Sequence, residues 1–172
     1  MAKVILSIDI DWVENWNQTQ ELLKKVSPRI KNGEFKNILV SQYHKDMKKL
    51  IEDTDEDVFV LNIDHHHDIA YEGSCPLEDV VRSCNWLGYY IKQGKVKGAI
   101  WVANRDSNMV NWEACGVSME ALDIHFDLDI VDKFKFDSLF ICQSPHYITE
   151  SEPAFGAWLG LKTVIDLYTN EN

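Results

Sequence analysis

The chain has 172 residues, of which 45% are hydrophobic and 26% are charged, and this composition is typical of one globular domain. Its formal net charge of −11 argues against nucleic acid and anionic membrane surfaces as partners, because both attract clustered lysine and arginine. No apolar run approaches the ~20 residues of a membrane span, and the first residues, MAKVILSIDID, lack the apolar core of a signal peptide. We therefore expect a single domain over residues 1–172, located in the cytoplasm.

The four cysteines are far apart in the sequence and form no Cys-x-x-Cys pair. They are Cys75, Cys84, Cys115 and Cys142. This spacing favours reduced thiols over a disulfide framework or a zinc knuckle, in agreement with a cytoplasmic location.

Short apolar segments alternate with segments of helical periodicity along the chain. The predicted strands are 3–10, 35–42, 57–64, 97–103, 121–130 and 138–143. The predicted helices are 17–26, 44–53, 76–93 and 151–168, and Pro28 is expected to close the first of them. This alternation predicts an α/β fold, a three-layer α/β/α sandwich with a mainly parallel sheet.

Acidic and histidine side chains follow three of these strands at the point where each one ends. They are Asp9 and Asp11, then His44, then Asp64, His66 and Asp68. Ligands of such sheets bind beyond the carboxyl ends of the strands, so we expect these side chains to meet there. Four carboxylates without cations would repel one another, and oxygen ligands with a few imidazoles suit Mn²⁺. The sequence therefore predicts two manganese ions, which together lower the pKa of a bound water.

Three motifs that contain these residues resemble the manganese-binding motifs of arginases and agmatinases. ILVSQYHKDM contains a His that follows a strand, NIDHHHD contains Asp-x-His-x-Asp, and LSIDID contains Ser-x-Asp-x-Asp. Here the Asp-x-Asp motif comes first and the chain is short. Both features resemble the small arginase-like group that includes the peptide arginases, as do the stretches SCNWL, IWVANR and LFICQSPHY.

The resemblance implies an arginase-like domain with a permuted motif order. It also implies hydrolysis of the guanidino group of arginine, most concretely conversion of peptidyl-arginine to ornithine with release of urea. The expected partner is then an arginine-containing precursor peptide made by the ribosome. Assembly into a homo-oligomer is a further possibility. Asp64 and either Asp9 or Asp11 would bridge two Mn²⁺ ions, His44 and Asp68 would complete one of them, and His66 would bind the other.

The same resemblance calls for a histidine that shuttles protons and a glutamate that holds the guanidinium. The alternatives for the shuttle are His65, His67 and His146. The alternatives for the clamp are Glu14, Glu150 and Glu152. Trp12 or Trp16, which follow the Asp pair, are expected to line the cleft and stack on a cation. Asn104 and Arg105 follow strand 97–103 and either contact the substrate or only cap the loop.

Two other functions fit the same residues. One is a deacetylase-like amidohydrolase that holds a single Zn²⁺ with two aspartates and one histidine. The other is a metal-dependent peptide-binding module without turnover, whose acidic surface recruits a basic partner.

Overall fold

The structure, a computed structural model, describes residues 2–77, 79–109 and 111–169. Its six strands form one sheet of order β2-β6-β1-β3-β4-β5, in which every pairing is parallel. The strands are β1 (Lys3–Asp9), β2 (Asn37–Ser41), β3 (Val58–Ile63), β4 (Val96–Val102), β5 (Leu122–His125) and β6 (Ser138–Cys142). The helices are α1 (Trp16–Lys31), α2 (Lys48–Glu52), α3 (Trp86–Lys92), α4 (Pro145–Ile148) and α5 (Glu152–Thr169).

Helices cover both faces of the sheet, which confirms the predicted α/β fold with three layers. Along β1, Leu6 and Ile8 belong to the core that contains α1 and α5, whereas Ile5 belongs to the core that contains α2 and α3. Because side chains alternate along a strand, Ser7 and Asp9 share the face of Ile5. In the part of the chain that the structure describes, no helix has the length and apolar character needed to cross a bilayer.

The order of the strands reverses at β1. The chain leaves β1 for β2 on one side of the sheet and then places β3, β4 and β5 on the other side. In parallel sheets of this kind, ligands bind at the carboxyl edge where the winding direction changes. Here that edge carries the residues that follow β1, β2 and β3.

Helix α1 continues past Pro28, where the sequence had predicted its end. Proline removes one hydrogen bond of the helix, but tertiary contacts hold the last turn in place. Ile30 is buried, and the guanidinium of Arg29 donates to the carbonyl oxygens of Val131 and Phe134 at 3.0 and 3.1 Å.

The predicted helix over residues 76–93 is wrong in its first half, because among the described residues of this range only Trp86–Lys92 is helical, and residue 78 lies outside the described residues. Cys75 and Cys84 form a disulfide, so the expectation of reduced thiols is also wrong for this pair. The Asn85 side chain accepts from the backbone N–H of Arg82 at 2.7 Å and donates to the carbonyl oxygen of Pro76 at 3.3 Å. These contacts favour a closed loop over a helix.

The predicted strand over residues 121–130 also ends early, at His125. The Asp127 side chain accepts from the backbone N–H of Asp129 at 3.0 Å and begins a 3-10 helix, Leu128–Lys133. Lys25 of α1 then binds Asp129 at 2.9 Å and also pairs with Asp132. An aspartate that caps a turn competes with the strand ladder, and here the turn is the more stable arrangement.

Replacing Gly88 with alanine is expected to destabilise the fold by about 2–3 kcal/mol. An added Cβ would lie far inside van der Waals contact with the carbonyl oxygen of Ile69. Neither atom can move away, because the backbone fixes the position of each. Urea unfolding measures the loss, and Lys92→Ala, an exposed change in the same helix, is the control. Equal stability of the two variants would contradict this close approach.

Candidate metal centre

The six side chains predicted as metal ligands come together at the carboxyl edge of the sheet, beside β1. Two groups of three have ligand atoms that all lie within 4.8 Å of one another. The first group is Asp9, His44 and Asp64, and the second group is Asp11, Asp64 and His66. Asp68 adjoins the first group through His44.

His44 is the centre of the first group. Its Nδ1 lies 2.8 Å from Asp68 Oδ2, 3.1 Å from Asp64 Oδ2 and 3.3 Å from Asp9 Oδ2. These oxygens are close to Nδ1 but do not lie along the direction of an N–H bond from it. Among the described residues, this buried nitrogen therefore has no hydrogen-bond partner. Donors that share an octahedral ion at about 2.1 Å lie roughly 3 Å apart, so Nδ1 is spaced from each of these three oxygens as neighbouring ligands of one cation would be.

The ring of His44 is held from three sides. It stacks on Phe140 at a centroid distance of 5.5 Å and packs against Trp86 at 4.8 Å. Its Nε2 lies 2.7 Å from Ser7 Oγ. If Nε2 carries the proton and donates it to Ser7, the lone pair of Nδ1 is free to bind a metal, which is the usual arrangement for a histidine ligand.

Asp64 belongs to both groups, and its two oxygens face different histidines. Oδ2 lies beside His44, whereas Oδ1 lies 3.6 Å from His66 Nδ1. The same nitrogen of His66 lies 3.0 Å from Asp11 Oδ2. A carboxylate with this placement is suited to bridging two cations.

Hydrogen bonds from neighbouring elements orient the carboxylates. Trp86 Nε1 donates to Asp68 Oδ2 at 2.6 Å. Asn62 Nδ2 donates to Asp64 Oδ2 at 3.2 Å. Ser144 Oγ donates to Asp9 Oδ1. Such partners fix ligand orientation and tune metal affinity. Sequence reasoning missed all three. Only Asn62, two residues before Asp64 and on the same side of β3, carried a local signal.

Asp68 is held in a left-handed backbone conformation with φ of 55°. Residues other than glycine rarely adopt this conformation, and it often occurs at functional sites. Its carbonyl oxygen accepts from the backbone N–H groups of Leu87 and Gly88, at 3.1 and 3.2 Å. Helix α3 therefore compensates for the strain and directs the Asp68 carboxylate toward His44.

The pKa values of the cluster show how strongly its charges interact. Burial and the neighbouring Asp9 and Asp64 raise the pKa of Asp11 to about 8. Hydrogen bonds to Asp11 and Asp64 raise the pKa of His66 to about 11. Burial alone would lower the pKa of His44, but the carboxylates of Asp68, Asp64 and Asp9 raise it well above its usual value. Positive charge is therefore favoured here, whether it comes from protons or from cations.

A cleft of about 420 Å³ opens above these residues, a size that suits an amino-acid side chain or a small molecule. Its floor includes five residues of the cluster: Asp9, Asp11, His44, His66 and Asp68. Its walls include three tyrosines, Tyr43, Tyr71 and Tyr147, and the disulfide-bonded Cys84. An acidic floor below aromatic walls favours a cationic ligand.

The three histidines considered as proton shuttles have different surroundings. His146 of α4 lines the cleft and is exposed. His67 is fully buried, stacks on Tyr71 at 4.4 Å, and burial lowers its pKa to about 4. His65 lies 3.4 Å from Glu14, beside Asp106.

The remaining predicted site residues lie outside the cleft lining. Glu150 and Glu152 line a separate groove. Trp12 is buried, and its carbonyl oxygen accepts from Asn104 Nδ2 at 2.7 Å. Asn104 therefore ties the loop after β4 to the segment after β1, while Arg105 is exposed.

Comparisons of this chain with protein-family models, with curated proteins and with solved structures found no match. The function is therefore inferred from the chemistry of the cluster and of the cleft above it.

Replacing His44 with alanine should weaken Mn²⁺ binding at least about 100-fold, because the substitution removes the donor that faces three carboxylates. Trp86→Phe keeps an aromatic side chain but removes the indole N–H that orients Asp68, and we expect metal affinity to fall about 10- to 100-fold. Metal content after dialysis and calorimetric titration measure both effects. The control is His125→Ala, since His125 pairs with Asp123 at 3.0 Å away from this cluster. Unchanged binding in His44→Ala would contradict the assignment.

Metal affinity should rise with pH. Because the pKa of Asp11 is raised to about 8, this group holds a proton below pH 8 that a cation must displace, and above pH 8 it does not. Each displaced proton changes the affinity about tenfold per pH unit. Calorimetry in buffers of different ionisation enthalpy should therefore show about one proton fewer released at pH 9 than at pH 6.5. Asp11→Asn should remove this difference, and a difference that persisted in the variant would assign the proton to another group.

Proposed function

We propose that this protein is an arginase-like hydrolase with two Mn²⁺ ions per chain, acting on the guanidino group of arginine. The most concrete substrate is arginine within a precursor peptide, which would become ornithine with release of urea. The observation that carries the proposal is the bridging position of Asp64 between the His44 group and the His66 group. A site for a single cation does not need a carboxylate that faces two separate sets of donors.

The donor set fits the proposed ions. One ion would be held by Asp9, His44, Asp64 and Asp68. The other would be held by Asp11, Asp64 and His66. Both ions would keep free coordination positions for water and substrate. Two bound divalent ions supply a hydroxide nucleophile at neutral pH, because they lower the pKa of a shared water. Oxygen-rich donors with two imidazoles suit Mn²⁺ better than metals that prefer thiolates.

The walls of the cleft suit a guanidinium group. Tyr43, Tyr71 and Tyr147 line the cleft, and aromatic side chains attract a planar cation. Burial and the nearby Glu14 carboxylate raise the pKa of Tyr147, so its hydroxyl stays neutral at physiological pH. Within the proposal, Glu14 is the preferred clamp for the guanidinium. It lies outside the cleft lining but acts on Tyr147, which lines the cleft, whereas Glu150 and Glu152 line a different surface.

His146 is the preferred proton shuttle. Hydrolysis adds the oxygen of water to the guanidinium carbon and breaks its bond to the side-chain nitrogen. That nitrogen leaves as the amine of ornithine and needs a proton. His146 lines the cleft and is exposed, so it can exchange protons with solvent. His67 lies in an aromatic cluster with Tyr71, Trp101 and Trp112, outside the cleft lining.

A zinc-dependent amidohydrolase is the second candidate. Asp9, His44 and Asp64 are two aspartates and one histidine, all buried, which is the donor set expected for one Zn²⁺. Metal stoichiometry separates the two functions. Two manganese ions per chain support the arginase-like reaction, and one zinc ion per chain supports the amidohydrolase.

Mass spectrometry of arginine-containing peptides after incubation with the Mn²⁺-loaded protein tests the reaction. We expect a mass loss of one cyanamide unit per converted arginine, together with free urea. Asp64→Asn should reduce the rate at least about 1,000-fold, because it removes the charge that faces both donor groups. His125→Ala should retain the full rate. Two bound manganese ions without urea from any arginine peptide or from free arginine would contradict the proposal.

A further inference from the structure

An apolar groove lies next to the cleft, on the surface formed by the start of α1 and the start of α5. Its volume is about 950 Å³. Three large apolar side chains in its lining are unusually exposed: Trp16 by 53%, Phe155 by 50% and Leu159 by 52%. Exposed apolar side chains grouped in this way are typical of binding surfaces.

The groove is built to present Trp16. A Cβ at Gly156 would lie 2.6 Å from Cζ3 of Trp16, so a larger residue there would push the indole ring away from α5. The backbone below the ring is fixed, because Thr19 Oγ1 donates to the carbonyl oxygen of Pro153 at 2.7 Å. Asn15 also caps α1 by accepting from the backbone N–H of Gln18 at 3.0 Å. An exposed aromatic ring on a rigid support loses little entropy when it binds a partner.

The charge of the groove favours a basic partner. Glu150 and Glu152 are its charged lining residues, both are exposed, and no lysine or arginine of the described chain contributes to the lining. The complementary partner is a segment that carries a bulky apolar side chain and, beside it, a lysine or arginine.

The groove and the cleft lie on either side of α4. Pro145, His146 and Tyr147 line the cleft, whereas the next residues, Ile148 and Thr149, line the groove. Tyr147 also donates from its hydroxyl to the carbonyl oxygen of Val13 at 3.2 Å, which ties α4 to the segment that leads into Trp16. Four helical residues advance about 6 Å, the length of about two residues of extended peptide.

We propose that this groove binds the part of the substrate peptide that flanks the reacting arginine. The preferred substrates then carry a bulky apolar residue and a second basic residue within a few positions of that arginine. This inference rests on the proposed function, and it adds the class of peptide sequence that the enzyme selects. Free arginine would lack the groove contacts and would be a poor substrate.

Binding can be measured without turnover, through the fluorescence of Trp16. Of the six tryptophans, Trp16 is the most exposed, at 53%, so acrylamide should quench its emission most. Two peptides serve as probes. In the first, lysine replaces the reacting arginine, and a leucine and a second lysine lie nearby. The second is identical except that serine replaces the leucine. The leucine peptide should reduce the quenching constant at least about twofold and the serine peptide should not. In Phe155→Ser, which keeps Trp16 as the reporter, the difference should vanish.

Kinetics provide the second measurement. The leucine-containing arginine peptide should have a KM at least about tenfold lower than the serine peptide. Phe155→Ser should remove this preference. The matched control is Leu167→Ser, since Leu167 lies on the same helix, is 57% exposed and is outside the groove. Glu150→Gln combined with Glu152→Gln should remove the advantage of the second basic residue and its dependence on salt.

The two proposals fail in different ways. Equal KM values for the leucine and serine peptides, with urea still formed, would overturn the groove assignment and leave the hydrolase standing. Shielding of Trp16 by the leucine peptide, with no urea from any peptide, would overturn the hydrolase and support a peptide-binding groove. A concentration-dependent dimer in sedimentation that shields Trp16 without peptide would assign the groove to a second copy of this chain and overturn the inference.

Discussion

The structure depends on one electrostatic constraint, which is the need to balance four aspartates gathered at one edge of a buried sheet. Three of them place an oxygen within 3.3 Å of His44 Nδ1, and burial leaves them little solvent to screen their charges. Two imidazolium groups, His44 and His66, cannot fully balance four carboxylates. Divalent cations can, since each brings two positive charges and accepts several oxygens at once. The chemistry proposed for this chain follows from that requirement.

The central strands supply the platform on which this cluster is built. Phe140, Ser7 and Asn62 are neighbours across β6, β1 and β3 in the register of the sheet. Phe140 stacks on the ring of His44, Ser7 contacts its Nε2, and Asn62 donates to Asp64. One row of the sheet therefore positions donors that come from two different loops. A row on adjacent parallel strands is rigid, and rigid support gives metal sites their precise geometry.

Helix α4 divides the surface above the sheet into two parts with different chemistry. On one side lies the cleft, with an acidic floor and tyrosine walls, and on the other lies the groove around Trp16. A small cation would need only the cleft, whereas the proposed peptide substrate would occupy both. Under the proposed function, the groove would favour a peptide over free arginine, because it would add contacts that only flanking residues can make.

The sequence by itself determined the three-layer α/β fold and the six grouped side chains, because parallel strands place their carboxyl ends at one edge whatever the details of packing. It did not determine the ends of α1, α3 and β5. There, long-range contacts outweighed local preference, as when Arg29 held the last turn of α1 beyond Pro28. Only the tertiary structure decided that Cys75 pairs with Cys84, that Trp86 orients Asp68, and that Glu150 and Glu152 lie along the groove. These facts join residues from different elements or depend on where an exposed loop packs, and neither composition nor periodicity carries that information.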